Sequence, residues 1–227
     1  MRKLVTSALF TALLVPLGLS AQAEVTANAG YLSQYYYRGI LQKTSSATGG
    51  FDVAASNFSA GTWAADVGDG AEVDLYASVG IPLGESAILS LGGTGYFYTG
   101  DFDNTYLEGN VGLGFGPISI DAAFGTYRTD PDLKYVFIGV TAEAPNGLFA
   151  TVGAVSYNPE FGDAFSDVFD QDLGGQYIEA GYGFSAADLD FSISGLWNDA
   201  YLNSSYEGVD ELTLIFGVSK TFTIPTG

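Results

Sequence analysis

The stretch AEVDLYASVGI, Ala71 to Ile81, decides the fold. Read in steps of two, Glu72, Asp74, Tyr76 and Ser78 share one face, and Val73, Leu75, Ala77, Val79 and Ile81 share the other. A period of two is the signature of a strand, whose successive side chains point to opposite sides. A strand with carboxylates on one face and only aliphatic groups on the other suits a wall between lipid and a polar lumen.

The same split recurs along the chain. Glu108 and Asn110 oppose Leu107, Val111, Leu113 and Phe115; Asp121 opposes Ile118, Ile120 and Phe124. Glu179 opposes Ile178 and Tyr182, and Asp190 opposes Leu189, Phe191 and Ile193. With Asp52 and Glu143, these carboxylates and Glu72 and Asp74 are the candidate lumen-lining acids. Lysine or arginine facing lipid at mid-bilayer costs about 2 to 4 kcal/mol, so basic side chains should avoid the apolar parity. Lys134 and Lys220 are the exceptions, and both sit at strand ends from which a long side chain can snorkel to the interface.

Upstream, QYYYRGI (Gln34 to Ile40) sets three tyrosines against one arginine. In steps of two from Val25, the mostly apolar set ends on Tyr35 and Tyr37, and the mostly polar set ends on Arg38. This parity predicts Tyr35 and Tyr37 in a lipid-facing aromatic girdle and Arg38 in the lumen. Strand 1 rises outward in this scheme, which places Arg38 near the level of Glu72, Asp74, Glu108 and Glu179, one guanidinium facing a ring of carboxylates.

Twelve strands are expected, near 25 to 39, 46 to 56, 58 to 66, 71 to 81, 86 to 98, 105 to 115, 118 to 127, 134 to 144, 148 to 157, 176 to 184, 188 to 198 and 211 to 222. Most have about the 9 to 11 residues that a tilted strand needs to cross a bilayer. The connections alternate. SNFS, IPLGE, FGP, APNG and SAA are short, whereas LQKTSS, DVGDG, TGDFDN, RTDPD, NPEFGDAFSDVFDQDLGG and DAYLNSSYEG form a longer, acidic set. Outer-membrane barrels pair short periplasmic turns with longer outside loops in this way. The expected fold is all-β, a transmembrane antiparallel up-and-down β-barrel. The alternative, a two-layer β protein with tyrosines on its surface, gives no reason for such sorting.

The N-terminal segment MRKLVTSALFTALLVPLGLSAQA has a basic start, an apolar run and an Ala21-Gln22-Ala23 site, which predicts a secretory signal over 1–23 and a single barrel domain over 24–227. Beyond it no apolar run is long enough for a membrane helix. Without Arg2 and Lys3, five basic residues face 26 acidic ones, a charge of about −21, which argues against nucleic acid as a partner. The chain has no cysteine, so no disulfide supports the fold. It also has no histidine, which removes Ser-His, Asp-His and His-ligated metal chemistry.

Glu72 and Asp74, about 7 Å apart along one strand face, have a spacing that would suit an acid/base pair, but a polar lumen wall accounts for them far better. The glycines around Val111 to Gly116 precede a strand rather than a helix and so form no phosphate loop. In the acidic loop 158–175, Asp163, Asp167, Asp170 and Asp172, with Glu160, offer oxygen ligands for calcium without EF-hand spacing. No catalytic residue and no cofactor is expected.

SQYYYRGILQ, TGGFDVA, SAGTWAADV, AEVDLYASVG and YLEGNVGLGFGPISI resemble the TorF family of porins, also known as the Gcw_chp family. The likeness runs from the first strand to about the PNG turn and is fainter beyond. It implies an outer-membrane barrel with a pore role, and brings no established substrate. One departure is that Phe222 is followed by TIPTG, where outer-membrane barrels usually end on an aromatic residue. The sequence thus leads to a bacterial outer-membrane barrel acting as a passive channel for small cationic or neutral solutes. Its implied partners are outer-membrane lipid and lipopolysaccharide, the barrel-assembly machinery and the solutes. The competing expectation is a non-conducting structural or adhesive barrel that acts through its acidic outer loops.

Overall fold

The computed structural model describes residues 23–157, 174–203 and 209–225. The signal assignment over 1–23 lies outside these apart from Ala23, as do the calcium candidates Asp163, Asp167, Asp170 and Asp172.

Twelve strands follow one another: β1 (Glu24–Tyr37), β2 (Ile40–Ala55), β3 (Phe58–Gly68), β4 (Gly70–Leu83), β5 (Ala87–Tyr98), β6 (Tyr106–Phe115), β7 (Ile118–Tyr127), β8 (Lys134–Glu143), β9 (Leu148–Tyr157), β10 (Gly174–Ala186), β11 (Leu189–Asn198) and β12 (Glu211–Ile224). Each pairs antiparallel with its sequence neighbour, and β1 pairs with β12 to close the barrel. The period-two apolar face makes closure favourable, because a closed sheet leaves no edge with unpaired N–H and C=O groups.

The apolar parity faces outward. Leu75, Leu107, Phe115, Val152 and Leu214 are exposed, although each is large and hydrophobic. A contiguous apolar surface of this kind is the outer band of a membrane barrel rather than the face of a water-soluble sandwich. Lys134 and Lys220 lie near strand ends, and Lys220 sits over the Phe222 ring at 5.6 Å.

The two ends of the barrel differ. At one end the turns are short, over residues 56–57, 84–86, 116–117, 144–147 and 187–188. At the other are the connections 99–105, 128–133 and 199–210 and the loop between β9 and β10. Two connections expected to be long at this second end are tight. LQKTSS is part of β2, and Asp69 alone separates β3 from β4. The first turn is Arg38–Gly39, with φ of 49° and 81°, the left-handed pair of a type I′ hairpin.

That first hairpin does not complete the wall. β1 is paired with β12 only as far as Leu32, opposite Gly217, and β2 joins β3 only from Thr48, opposite Ala65. Between these points the hairpin pairs with itself, from Gln34 opposite Thr44 to Tyr37 opposite Ile40, and among the described residues it has no ladder partner in β12 or β3, with a bulge at Gln42 opposite Tyr35 and Tyr36. Two serines cap the points of divergence. Ser33 Oγ accepts the Phe216 N–H at 2.8 Å, and Ser46 Oγ donates to the Asp66 carbonyl at 2.7 Å. Lys43 forms an ion pair with Asp66 on the same side.

Candidate functional site

The peeled hairpin leans into the lumen and packs against the wall opposite it. Tyr35 is fully buried, and its hydroxyl donates to Glu72 on β4. Its ring meets Trp63 edge-on with centroids 5.3 Å apart. The Tyr36 hydroxyl and Thr213 Oγ1 on β12 are 3.1 Å apart. The Tyr37 hydroxyl lies 2.9 Å from both the Tyr96 hydroxyl and Glu108 Oε2. The expectation for Tyr35 and Tyr37 is therefore corrected: both point into the barrel and form no lipid-facing girdle. After Leu32 the hairpin leaves β12 and the wall, so both of its faces lie inside the barrel, and the parity that faces lipid upstream meets the lumen wall here.

Arg38 occupies the hairpin tip. Its Nη1 and Nη2 donate to Glu108 Oε2 and Oε1 at 3.0 and 2.8 Å, a fork-to-fork pair in which the Glu108 side chain is 0% exposed and that of Arg38 9%. The guanidinium also lies 4.2 Å from the Phe137 ring centroid and 4.8 Å from that of Tyr37. Tyr135 donates to the same Glu108 at 2.5 Å, and its ring covers the spot where Gly125 has no side chain. A non-glycine residue at positive φ is uncommon, and Arg38 carries that strain while its charge is held by this pair. On the far side of the tip, the Gly39 carbonyl accepts from Asn198 Nδ2 at 2.8 Å.

The candidate acids fall into three groups, all on inward-facing positions. Glu72, Asp74 and Glu108 are buried beneath and beside the hairpin. Tyr35 and Tyr98 hold Glu72, Arg38 holds Glu108, and neither oxygen of Asp74 has a hydrogen-bond partner among the described residues. Among the described residues the expected ring around Arg38 reduces to a single ion-pair partner, Glu108, and Glu179 instead accepts from Ser194 at 2.7 Å. Asp121 and Glu179 line an inner cavity of about 100 Å³, roofed by Tyr36, Arg38 and Gly39. Asp52, bonded by Tyr76, and Asp190, bonded by Ser185, lie toward the short-turn end, as does Glu143 opposite Phe149.

Above the hairpin, at the long-loop end, lies an outer cavity of about 360 Å³. Tyr37, Arg38, Ile40, Leu41 and Gln42 form one side, and the wall residues Tyr98, Tyr106, Tyr127, Tyr135 and Tyr157 form much of the other. The sequence reading passed over these wall tyrosines, although each stands at the long-loop end of its strand. In Tyr98 and Tyr106 the link was visible, because they share parity with Glu72 and Glu108, which they face or neighbour on inward positions. The loop residue Asp103 also lines this cavity and accepts from the Tyr127 hydroxyl at 3.1 Å. Partial burial raises its carboxyl above its ordinary value.

A family model described as "Bacterial protein of unknown function (Gcw_chp)" matches residues 18–222. No curated protein sequence matches the chain. Among solved structures, the KdgM porin superposes with a TM-score of 0.53 at 6% identity, covering 88% of this chain and 99% of that one. The NanC porin gives 0.52 at 12% identity, covering 86% and 98%. A protein from a study of in-meso crystallization of membrane proteins gives 0.54 at 13% identity, covering 90% and 85%. At these identities the likeness is one of fold, a closed twelve-stranded barrel of the kind seen in outer-membrane porins.

Proposed function

The chain belongs to the Gcw_chp family, and from the charge pattern of its barrel we propose that it is an outer-membrane diffusion channel for small cationic or neutral solutes, narrowed by its own first hairpin. The observation that carries this reading is the segregation of side chains across one wall. Large apolar groups face out on successive strands, while Asp52, Glu72, Asp74, Glu108, Asp121, Glu143, Glu179 and Asp190 face in against Arg38. Fixed negative charge along low-dielectric walls concentrates cations. Two cavities, one on each side of the hairpin and both touching Arg38, are the stretches of the path on either side of the constriction. Nothing in this reading requires a catalytic group.

A reversal potential across a planar bilayer under a salt gradient tests the selectivity. The expected preference is for the cation, shrinking as ionic strength rises and screening shortens the reach of the wall charges. An anion preference would reject the assignment of the acids.

Location is tested separately. Fractionated cells should hold the processed chain in the outer membrane, with a mobility on gels that changes on boiling. Recovery in the soluble periplasm without that change would defeat the membrane barrel itself.

One observation favours the second reading, a structural or adhesive barrel that does not conduct. The hairpin contacts β4, β6, β11 and β12 and leaves Glu72, Asp74 and Glu108 almost without exposure. Absence of any conductance from folded protein would select it.

A further inference from the structure

The outer cavity has walls unlike the rest of the lumen. Tyr98, Tyr106, Tyr127, Tyr135 and Tyr157 come from five consecutive strands, β5 to β9, and stand at one level. Their rings form a connected arc, with centroid separations of 6.3 Å for Tyr98 and Tyr106, 5.3 Å for Tyr106 and Tyr127, and 6.3 Å for Tyr135 and Tyr157. Phe102 extends the arc from Tyr98 at 5.7 Å. Tyr106 and Tyr135 are buried in packing against the hairpin, whereas Tyr98, Phe102, Tyr127 and Tyr157 keep part of their surface exposed.

We propose that this cavity is a binding site for a small organic cation with a methylated ammonium head. The faces of aromatic rings carry negative potential, and several of them around one space attract a cation whose methyl groups also gain from leaving water. Asp103 supplies a formal negative charge beside Tyr127. Arg38, the nearest positive group, is neutralised by its two hydrogen bonds to Glu108 and does not oppose the ligand with a free charge. The volume of about 360 Å³ is in the range of small-molecule sites and exceeds what a bare inorganic ion needs. A hydrated metal ion fits this site poorly, because its walls are mostly carbon and Asp103 is the carboxylate among its lining residues.

The site stands on the geometry of the cavity. Its use as a selectivity filter at the mouth of the barrel rests on the channel reading above, so the test measures binding without conduction. Titration calorimetry of the folded protein in detergent would use choline as the probe and its neutral isostere, 3,3-dimethylbutan-1-ol, as the control. Choline should bind saturably, and the isostere at least about threefold more weakly, as the cation–ring attraction and the charge of Asp103 require.

Tyr157→Leu, which keeps an apolar wall but removes the ring, should weaken choline by about threefold or more and leave the isostere unchanged. Asp103→Asn, in a loop outside the strands, should act in the same direction and gives a variant that does not disturb the barrel wall. No binding of choline, equal binding of choline and the isostere, or parental choline affinity in both variants would each overturn the proposal. Choline binding by a protein that fails to conduct would defeat the channel and leave the site standing. Conduction without choline binding would do the reverse.

Discussion

Arg38→Ala should raise single-channel conductance severalfold in a barrel that still closes. Among the described residues the guanidinium is the positive group seated on Glu108, whose side chain has 0% exposure. Removing one partner of a buried ion pair strands the other charge, at a cost of about 3 to 5 kcal/mol. That cost falls on the seated position of the hairpin, because with the tip displaced Glu108 regains solvent. The wall itself is held by backbone ladders that do not involve Arg38, running from β3 through to β12 and across the β1–β12 seam up to Leu32. Cation preference should rise together with conductance, since the lumen loses its positive group. Recordings from folded parent and variant, with the boiling-dependent gel shift as the folding control, decide the matter. Conductance and selectivity both unchanged would reduce Arg38 to a brace. In the Arg38→Ala background, Glu108→Gln should bring conductance back toward the parent value, because no buried charge is then left unpaired.

Gly39→Val should open the same path without altering any charge. Gly39 has φ of 81°, and a β-carbon there would lie 2.7 Å from both Leu202 Cδ1 and Tyr177 Cβ. A β-branched residue in that backbone conformation costs about 1 to 2 kcal/mol, and the forced overpacking adds about 1 to 3 kcal/mol. The overpacking disappears when the tip leaves its seat against Tyr177 and Leu202, whereas the backbone cost belongs to the turn and stays in both positions. Conductance should therefore rise, with ion selectivity close to that of the parent, and this separates displacement of the hairpin from loss of its charge. Gly109→Ala is the matched control, because a β-carbon there meets nothing within 4 Å. A Gly39→Val channel indistinguishable from the Gly109→Ala channel would mean that the hairpin does not limit the path.

The wall was legible in the sequence because its cause is local. Each strand must divide apolar from polar side chains at alternate positions, so Ala71 to Ile81 alone reveals the inner and outer faces, and every candidate acid stands on the inner one. The hairpin was not legible because its cause is distant. Whether residues 33–47 continue the wall or leave it depends on pairing with β12 and β3, far away in the chain, and the polar LQKTSS segment resembles a loop whichever is true. Once the hairpin leaves the wall both of its faces lie inside the barrel, so Tyr35 and Tyr37 meet the lumen on the parity that faces lipid upstream. The tyrosine arc was missed for another reason. Tyrosine suits both a lipid interface and a lumen, so residue type alone does not say which side it takes.

The placement of the constriction in the first hairpin also fixes an order of assembly. Two of its anchors, Asn198 for the Gly39 carbonyl and Thr213 for Tyr36, belong to β11 and β12, the last strands to leave the ribosome. Until β12 meets β1, the earliest strand has β2 alone as its neighbour, and its tip lacks two of the side chains on which it rests. The nascent sheet already offers Glu72 and Glu108 to the hairpin, but the tip gains its full seat only as the circle is completed. A hairpin seated on Asn198 and Thr213 is in this sense a receipt for closure, written by the first residues of the chain on the last.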